Sequence, residues 1–423
     1  STQAKTLFPY TTLFRSGEQW SKTTVVKTGE NQELVIVMTT AGSLVCTKYH
    51  KFYLDGKDDP VEADDLKHGD VLVANGIKYV KPRVISVSEC GRENTYCVNE
   101  PLKHKAVFNG ILTGQCNEIS LPTAPFTGMQ DLYSEESEGE IALCSLAAIV
   151  VSNVKDYEYE QVAYYALKMV DNVIEMMDYP FKSLERTAKA RRSAGVGITG
   201  LAHYLAKNGE WYSSKSGKMM MHRLAERHMY SLILASATLA KERGKCEWYD
   251  KTLWGDGWMP IDTASTSVDD VCDSSLMLNW DWLRGYIKQH GMRNSVVVAH
   301  MPCESSSLAS NSTNGLYPIR ESVVIKTNAS SKNVFIAPES DMLYYESAWD
   351  VSTKDMLEMY GIFQKFTDQA ISADTYLVIG NDRKVSGKEM IDNILYADKM
   401  GLKGEYYLNS QTTVKDVCEG CSI

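Results

Sequence analysis

The sequence is short of four things, and each absence narrows the chemistry open to the chain. No apolar run reaches the roughly 20 residues that a membrane-spanning helix needs, so a function within or across a membrane is not expected. No leader of the secretory type opens the chain, and the expected location is the cytoplasm. Positive charge is not in excess: 44 Lys and Arg stand against 54 Asp and Glu, a formal net charge of -10, which leaves no basic footprint for nucleic acid. Cysteines are present, ten of them, but scattered and mostly unpaired in sequence, which suits a reducing compartment better than a disulfide framework. Asn311-Ser312-Thr313 and Asn328-Ala329-Ser330 fit the glycosylation pattern and carry no weight without secretion. What remains is ordinary globular material, 44% hydrophobic and 23% charged, and 423 residues are enough for two or three domains.

Residues 17–115 have β character. Thr23 to Thr28 and Glu33 to Thr40 are β-branched runs separated by Gly29-Glu30-Asn31, which predicts two strands and a turn. Shorter runs follow at Ser43 to Tyr49, Val71 to Val73, Tyr79-Val80 and Arg83 to Val87, punctuated by Asp55-Gly56 and His68-Gly69-Asp70. Many short strands at close spacing predict a compact all-β domain.

After Cys116 the pattern changes. Tyr157 to Asp178 carries a helical stripe at Val162, Ala166, Met169, Val170 and Val173, closed by Pro180. Lys218 to Arg243, ended by Gly244, is a long helical run, and Asp355 to Ile371 and Gly387 to Met400 are helical too. Ser386-Gly387-Lys388-Glu389 reads as a capping box for the last. Strands are predicted at Ile141 to Cys144, Val196 to Ile198, Ser295 to Ala299, Tyr376 to Ile379 and Tyr406 to Leu408. Strands alternating with helices imply an α/β sheet or barrel with its functional loops at strand ends.

Several motifs of the β region resemble inteins, segments that excise themselves. Thr47-Lys48-Tyr49-His50 looks like the Thr-x-x-His block that polarises the upstream splice-junction peptide. Thr95-Tyr96-Cys97-Val98, then His104 and Phe108-Asn109-Gly110, look like the two closing blocks. The resemblance makes Gln115 the terminal amide that attacks its own backbone carbonyl, where most inteins carry Asn, and Cys116 the thiol that receives the upstream segment. Gly114 stands where His is usual, so His104 inherits the proton transfer. Cys97 stands where many inteins carry Asp; its other reading is a small buried core residue. No initiating Cys or Ser stands at the head. Instead Thr6 to Ser16 is similar, letter for letter, to one reading frame of a sequencing adapter, so residues 1–16 are read as an assembly artefact. The expectation is a headless mini-intein that cannot splice and at most cleaves slowly between Gln115 and Cys116.

The second half resembles the large subunit of class I ribonucleotide reductases. Cys116-Asn117-Glu118, followed by Leu121-Pro122-Thr123, looks like the family's finger loop. The resemblance makes Cys116 the thiyl-radical site, Glu118 the base for the substrate 3′-hydroxyl and Asn117 a substrate contact. Gly139 to Cys144 looks like the strand that carries one of the two reducing cysteines, Cys144; otherwise this is a core cysteine. Met301-Pro302-Cys303-Glu304-Ser305-Ser306-Ser307 resembles the loop that grips the substrate diphosphate, with Cys303 where relatives often have Ser and Ser305 where they have Thr. By itself it is a solvated Ser-rich turn. Tyr406-Tyr407 resembles the stacked pair that passes a radical inward, and Cys418-Glu419-Gly420-Cys421 the flexible tail that exchanges disulfides with the active site. A lone Cys-x-x-Cys is also half of a zinc site, but no second pair lies near it.

Together these imply a multidomain chain. Residues 1–16 are artefact, 17–115 an all-β intein (Hint-type) module, 116–408 part of a ten-stranded α/β barrel, and 409–423 the redox tail. Implied partners are the small subunit, thioredoxin or glutaredoxin, a ribonucleoside diphosphate and a second large subunit. No metal or cofactor is expected on this chain. The radical originates in the small subunit's metal/tyrosyl cofactor, and ATP and dNTP effectors bind a part expected to precede the intein. The biological setting implied is deoxyribonucleotide synthesis for DNA replication. One rival is a self-processing module fused to an inert binding domain. Another is a dinucleotide-dependent oxidoreductase using Gly195-Val196-Gly197-Ile198-Thr199-Gly200, a poor fingerprint because no acidic residue closes a βαβ unit. His222 and His228, six apart on one helix, face different sides and are not expected to share a metal.

Overall fold

The computed structural model describes residues 13–412 apart from 17–18, 23, 41, 57–59, 74–81, 100–104, 109–110, 115–116, 129–130, 132, 135, 274, 328–331 and 381–384. The chain divides into two compact units: Ser1–Cys116 with Ala124–Ile141 and Val324–Phe335, and Asn117–Thr123 with Ala142–Val323 and Ile336–Ile423.

The first unit is built from β1 (Leu13–Ser16), β2 (Gln19–Lys22), β3 (Thr24–Thr39), β4 (Gly42–Thr47), β5 (Lys51–Tyr53), β6 (Pro60–Glu62), β7 (Val84–Asn99), β8 (Lys105–Phe108) and β9 (Ile111–Gly114). β1 pairs with β2, β3 lies between β4 and β7, and the remaining four run in the order β6-β5-β9-β8. Between residues 13 and 114 the one described helical turn is Ala63–Asp65. Alternation decides the buried face: Val35 and Val37 are buried while Met38 is exposed. They pack with Phe52, Leu54, Ala63, Leu66, Leu72 and Val84 in a small core. The expected turn at Gly29-Glu30-Asn31 is absent. β3 runs straight through it, and the pairing with β7 shifts register between Lys27 and Gly29 and between Gly29 and Gln32. A bulge absorbs residues that do not fit the ladder without ending the strand. The expected turns at Asp55-Gly56 and Gly69 are present, with both glycines at positive φ.

The second unit alternates strands and helices. β10 (Ser145–Val150) runs parallel to β11 (Ala194–Thr199), connected through α1 (Tyr159–Met176) and α2 (Lys182–Arg191). A parallel pair requires such a crossover. There follow α3 (Leu201–Lys207), α4 (Lys215–Arg243), α5 (Trp280–His290) and α6 (Glu304–Ala309), then the paired strands β12 (Val323–Thr327) and β13 (Lys332–Ile336), which from Val324 to Phe335 count with the first unit, and α7 (Thr353–Gln364), again in the second. β14 (Thr375–Ile379) and β15 (Leu408–Thr412) form a second parallel pair across α8 (Gly387–Lys399). α4 is apolar on most sides, with Met221, Leu224, Met229, Leu232 and Ile233 all buried, as expected of a helix enclosed by its neighbours. Its start is fixed by the Ser214 hydroxyl, which accepts the Gly217 N–H, and its end by Gly244 at φ 88.

Four local expectations differ from the structure. The strand predicted at Ile141 to Cys144 starts at Ser145, so Cys144 is the last residue before it. Tyr406 and Tyr407 precede β15, and β15 takes in residues 409–412, which the sequence assigns to the tail. Residues 295–299 are not a regular strand: Ala194 and Val196 donate to the Val296 and Val297 carbonyls, but the Val297 and Val298 N–H groups are taken by the Asp368 carboxylate at 2.7 and 2.8 Å. The helix predicted to reach Ile371 stops at Gln364. There the Gln364 amide donates to the Thr367 and Gln369 carbonyls and the Thr367 hydroxyl to Phe363 O, which pulls the chain out of helix. Among the described residues the strands of this mixed α/β unit pair in twos, and a closed ten-stranded barrel is not present.

Candidate active site

Glu118 is the centre of the site in the second unit. It is 3% exposed, and burial raises its carboxyl above the ordinary range. The Ser372 hydroxyl, 2.6 Å from Oε2, donates to the carboxylate and opposes that shift. Ser372 Oγ in turn accepts the Asn117 N–H at 3.1 Å, so its one proton is directed at Glu118. The Ser372 backbone is fixed on both sides: its carbonyl accepts from Tyr317 OH at 2.6 Å and its N–H donates to His300 O. Ala370 N–H donates to the Glu118 carbonyl. Asn117 is tied down separately, its amide donating to Glu405 O at 2.9 Å, over Gly404, where a Cβ would stand 2.7 Å from that nitrogen.

Cys144 lies at the mouth of β10. Burial pushes its thiol up to about 12. The charges of Asp368 and Glu118 act in the same direction, which puts Cys144 within electrostatic range of both carboxyls. The thiol donates to Ser145 O at 3.8 Å, and the Gln369 amide donates to the sulfur at 3.5 Å. Gly195 makes room here, since a Cβ on it would stand 2.6 Å from Leu146 Cδ2 and 3.2 Å from Cys144 Sγ. On Gly197 it would meet Ala299 O at 2.6 Å. These two glycines serve close packing of β11, not phosphate binding.

The Met301–Ser307 loop leads into α6. Cys303 is buried, its thiol is pushed up to about 11, and its N–H donates to Asn314 Oδ1 at 2.7 Å. Its sulfur therefore does not face solvent as a serine hydroxyl in a binding loop would. The first intrahelical bond runs from Ser307 N–H to Cys303 O, leaving the Ser305 and Ser306 amides ahead of it at the helix start. Ser305, Ser306 and Glu304 are exposed, Pro302 half-buried. The Ser306 hydroxyl donates to Cys303 O and the Ser307 hydroxyl to Glu304 O.

Tyr406 and Tyr407 lie with ring centroids 3.9 Å apart and their planes tilted by 42°, in close contact but not in the stacked arrangement expected of the pair. Their backbones are clamped by Ala373 O, which accepts the Tyr406 N–H, by Asp374, whose carboxylate accepts the Tyr407 N–H, and by the Thr375 N–H, which donates to Tyr407 O. Asp368 to Thr375 thus touches Cys144, Glu118 and the tyrosine pair in turn. Sequence reasoning missed this segment, having read it as a helix end followed by a strand. The available signal was the unusual run Asp368, Gln369, Ser372, Asp374 among small apolar residues. Asp368 itself is raised to about 6 by burial, against the opposing bonds from Val297 and Val298.

In the first unit Thr47 is buried and its carbonyl accepts the His50 N–H, while His50 O accepts from Ala63 N–H. Burial lowers the His50 imidazole to about 4, so it is neutral near pH 7, and its ring meets Phe52 edge-on. Cys97 pairs across the sheet with Val26. His104, Gln115, Cys116, Cys418 and Cys421 lie outside the described residues. His228 uses both ring nitrogens, on Tyr159 OH and Val196 O, and His222 packs edge-on against Phe366. Among the described residues no group of three metal-ligating side chains is present, and no helix is long and apolar enough to cross a membrane.

The sequence matches the family described as "Ribonucleotide reductase, barrel domain" over residues 111–340 and 330–408. Named relatives agree. The ribonucleoside-diphosphate reductase subunit alpha of Haemophilus influenzae is 40% identical over 317 residues, 73% of this chain and 41% of that protein. That of Enterobacteria phage T4 is 34% identical over 329 residues, 73% of this chain and 42% of that protein. The Escherichia coli ribonucleoside-diphosphate reductase 1 subunit alpha is 38% identical over 248 residues, 57% of this chain and 33% of that protein. The chain spans about two fifths of the length of the first two relatives. From residue 111 to residue 408, then, the buried Glu118 carboxyl, the thiol at the strand mouth and the adjacent tyrosines lie in a segment matching one family model, and the chain belongs to the ribonucleotide reductase barrel-domain family.

Proposed function

We propose that this chain carries the C-terminal part of a class I ribonucleoside-diphosphate reductase large subunit, interrupted at Cys116 by an intein-like module over residues 17–115. The observation that carries the reductase reading is one segment, Asp368 to Thr375, that holds a buried carboxylate, a half-buried cysteine and an adjacent tyrosine pair by direct hydrogen bonds. In this reading Cys116 removes the ribose 3′-hydrogen as a thiyl radical and Glu118 takes the 3′-hydroxyl proton. Glu118 suits that role because it is buried and Ser372 steadies its charged form. Cys144 is one of two thiols that together give up two electrons and two protons, and the lost hydroxyl leaves as water. The diphosphate is gripped at the start of α6 by backbone N–H groups, with Ser305 and Ser306 beside it. Cys303 contributes its backbone, because its sulfur is buried.

Tyr406 and Tyr407 pass the radical inward from a partner small subunit, whose metal/tyrosyl cofactor generates it. Cys418 and Cys421 return electrons from thioredoxin or glutaredoxin. The working form is a large-subunit homodimer that takes ATP and dNTP effectors elsewhere in the longer protein. The test is turnover of a ribonucleoside diphosphate by the full-length protein, reconstituted with its small subunit and a dithiol reductant. Tyr407→Phe and Cys144→Ser are each expected to abolish it, and full activity in either variant refutes the reading.

The same thiol, Cys116, serves the intein-like module first. Thr47 and His50 polarise the upstream junction, His104 handles the proton, Cys97 assists, and Gln115 cyclises to release the downstream chain. The neutral state of His50 near pH 7 supports a proton-handling role. Mass spectrometry of the purified chain checks this. Slow cleavage between Gln115 and Cys116 is the most that is expected of this chain, and a ligated product contradicts it.

A further inference from the structure

Gln369 is fully buried and in contact with Cys144. Its Nε2 lies 3.0 Å from Ala194 O and 3.5 Å from Cys144 Sγ. A carbonyl only accepts, so Ala194 fixes which end of the amide is nitrogen, and the second N–H is left for the sulfur. The Gln369 backbone is held as well: its N–H donates to Val298 O, and its carbonyl accepts from the Gln364 amide at 3.0 Å. Oε1 has no hydrogen-bond partner among the described residues. The bond to Ala194 O is a structural reason for an amide here, since Leu or Met would leave that carbonyl unpaired; the second N–H, on the sulfur, is the part that this reason does not require. Asp368 and Glu118 are the charged groups that act on Cys144, and both disfavour its thiolate. Among the groups acting on that sulfur, the Gln369 N–H is the one that favours it.

We propose that Gln369 is a positioning residue for Cys144: it aims the sulfur and stabilises the Cys144 thiolate released in thiol–disulfide exchange. The proposal rests on the reading of Cys144 as one of the reducing pair. In the exchange a thiolate of an incoming dithiol attacks the other sulfur of the Cys144 disulfide. A new S–S bond forms there and the old one breaks. Its electron pair goes to Cys144 Sγ, which leaves as a thiolate accepting the Gln369 N–H and then takes a proton. The two electrons come from the dithiol. In the reduced state the thiol donates instead to Ser145 O, so the two neighbours serve the two protonation states.

Peptide-resolved alkylation of this chain with iodoacetamide, followed against pH, tests the idea without turnover. Gln369→Met keeps the volume and removes the N–H. It is expected to shift the Cys144 profile upward by about one pH unit, an approximately tenfold slower reaction at fixed pH, because thiolate is the reacting species. The Cys246 and Cys272 profiles, in buried sites of the same unit, are expected to stay in place. Overlapping Cys144 profiles overturn the proposal. If Cys246 and Cys272 react faster, the variant has unfolded, and the wild-type fold decides: a Gln369 side-chain N–H bonded to Cys144 Sγ is expected to shift its ¹⁵N resonance in Cys144→Ala. An unchanged resonance overturns the proposal too. Turnover retained by Cys144→Ser in the full-length enzyme overturns instead the reading on which it rests.

Discussion

The two units keep their candidate residues in place by different means. In the β unit Thr47 and His50 are three residues apart, joined by a backbone turn, and rest on a small apolar core. Their geometry is local, set by the chain between them. In the α/β unit Glu118 and Ser372 are 254 residues apart, and Cys144 and Gln369 are separated by 225. Their geometry is tertiary, and buried polar bonds set it. A local site survives loss of distant parts, whereas a tertiary one needs its whole surround. Hence Thr47 and His50 resemble a short motif on sight, while the segment that orients Glu118 and Cys144 carries no motif of its own.

The largest expected effect breaks the comparison on the chemical side. Glu118→Gln keeps the shape and the Ser372 contact but removes the base. Turnover of the full-length reductase is expected to fall by about 10²–10⁴, the usual worth of a positioned general base. Any cleavage between Gln115 and Cys116 in this chain is expected to be unaffected, because the proposed intein chemistry gives that carboxylate no role. Steady-state kinetics beside mass spectrometry reads both. A variant that loses cleavage and keeps turnover inverts the assignment.

Acid titration comes next in size. Burial lowers His222 and His228 to about 4 and His300 well below its usual value, so all three are neutral in the folded α/β unit. A histidine with a depressed folded value contributes stability above about pH 6.5 that is lost as pH falls toward the folded value. For a shift from 6.5 to about 4 the linkage is roughly 3 kcal/mol per ring. The β unit has one described residue of this kind, His50, also at about 4. Hydrogen exchange between pH 7 and pH 4 is therefore expected to open α4 and β11 more than β3 and β7. The reverse order removes the contrast between the two cores.

Much of the fold was legible where neighbours in sequence determine it. α1, α4 and α8 lie within three residues of their expected bounds, and Ser386 Oγ accepts the Glu389 N–H as its motif requires. Parallel pairing follows from strand–helix–strand order. Legibility ended where side chains compete with the backbone. Asp368 takes the amides that a regular strand at Val297 and Val298 would have used, and Gln364 and Thr367 end α7 early. Gly29 looked like a turn and is a bulge, since only the partner strand decides between the two. Of the site, the resemblance supplied Glu118, Cys144, Tyr406 and Tyr407, which are all bonded to one segment, residues 368–375. It did not supply Gln369, Ser372 or Asp374, whose partners lie far away in sequence.

The smallest effect tests whether that wiring matters at all. The Ser372 hydroxyl lowers the Glu118 carboxyl, which burial raises. Ser372→Ala removes the opposing bond, so the carboxyl rises further, and a base must be ionised to act. The acid limb of the kcat profile is therefore expected to move to higher pH by about one unit, with an approximately tenfold loss near that limb and recovery on the alkaline side. Ser372→Thr keeps a hydroxyl and is expected to restore the limb. A uniform loss at every pH means that Ser372 only packs, and the α/β site is then held by its backbone, as the turn at Thr47 and His50 is.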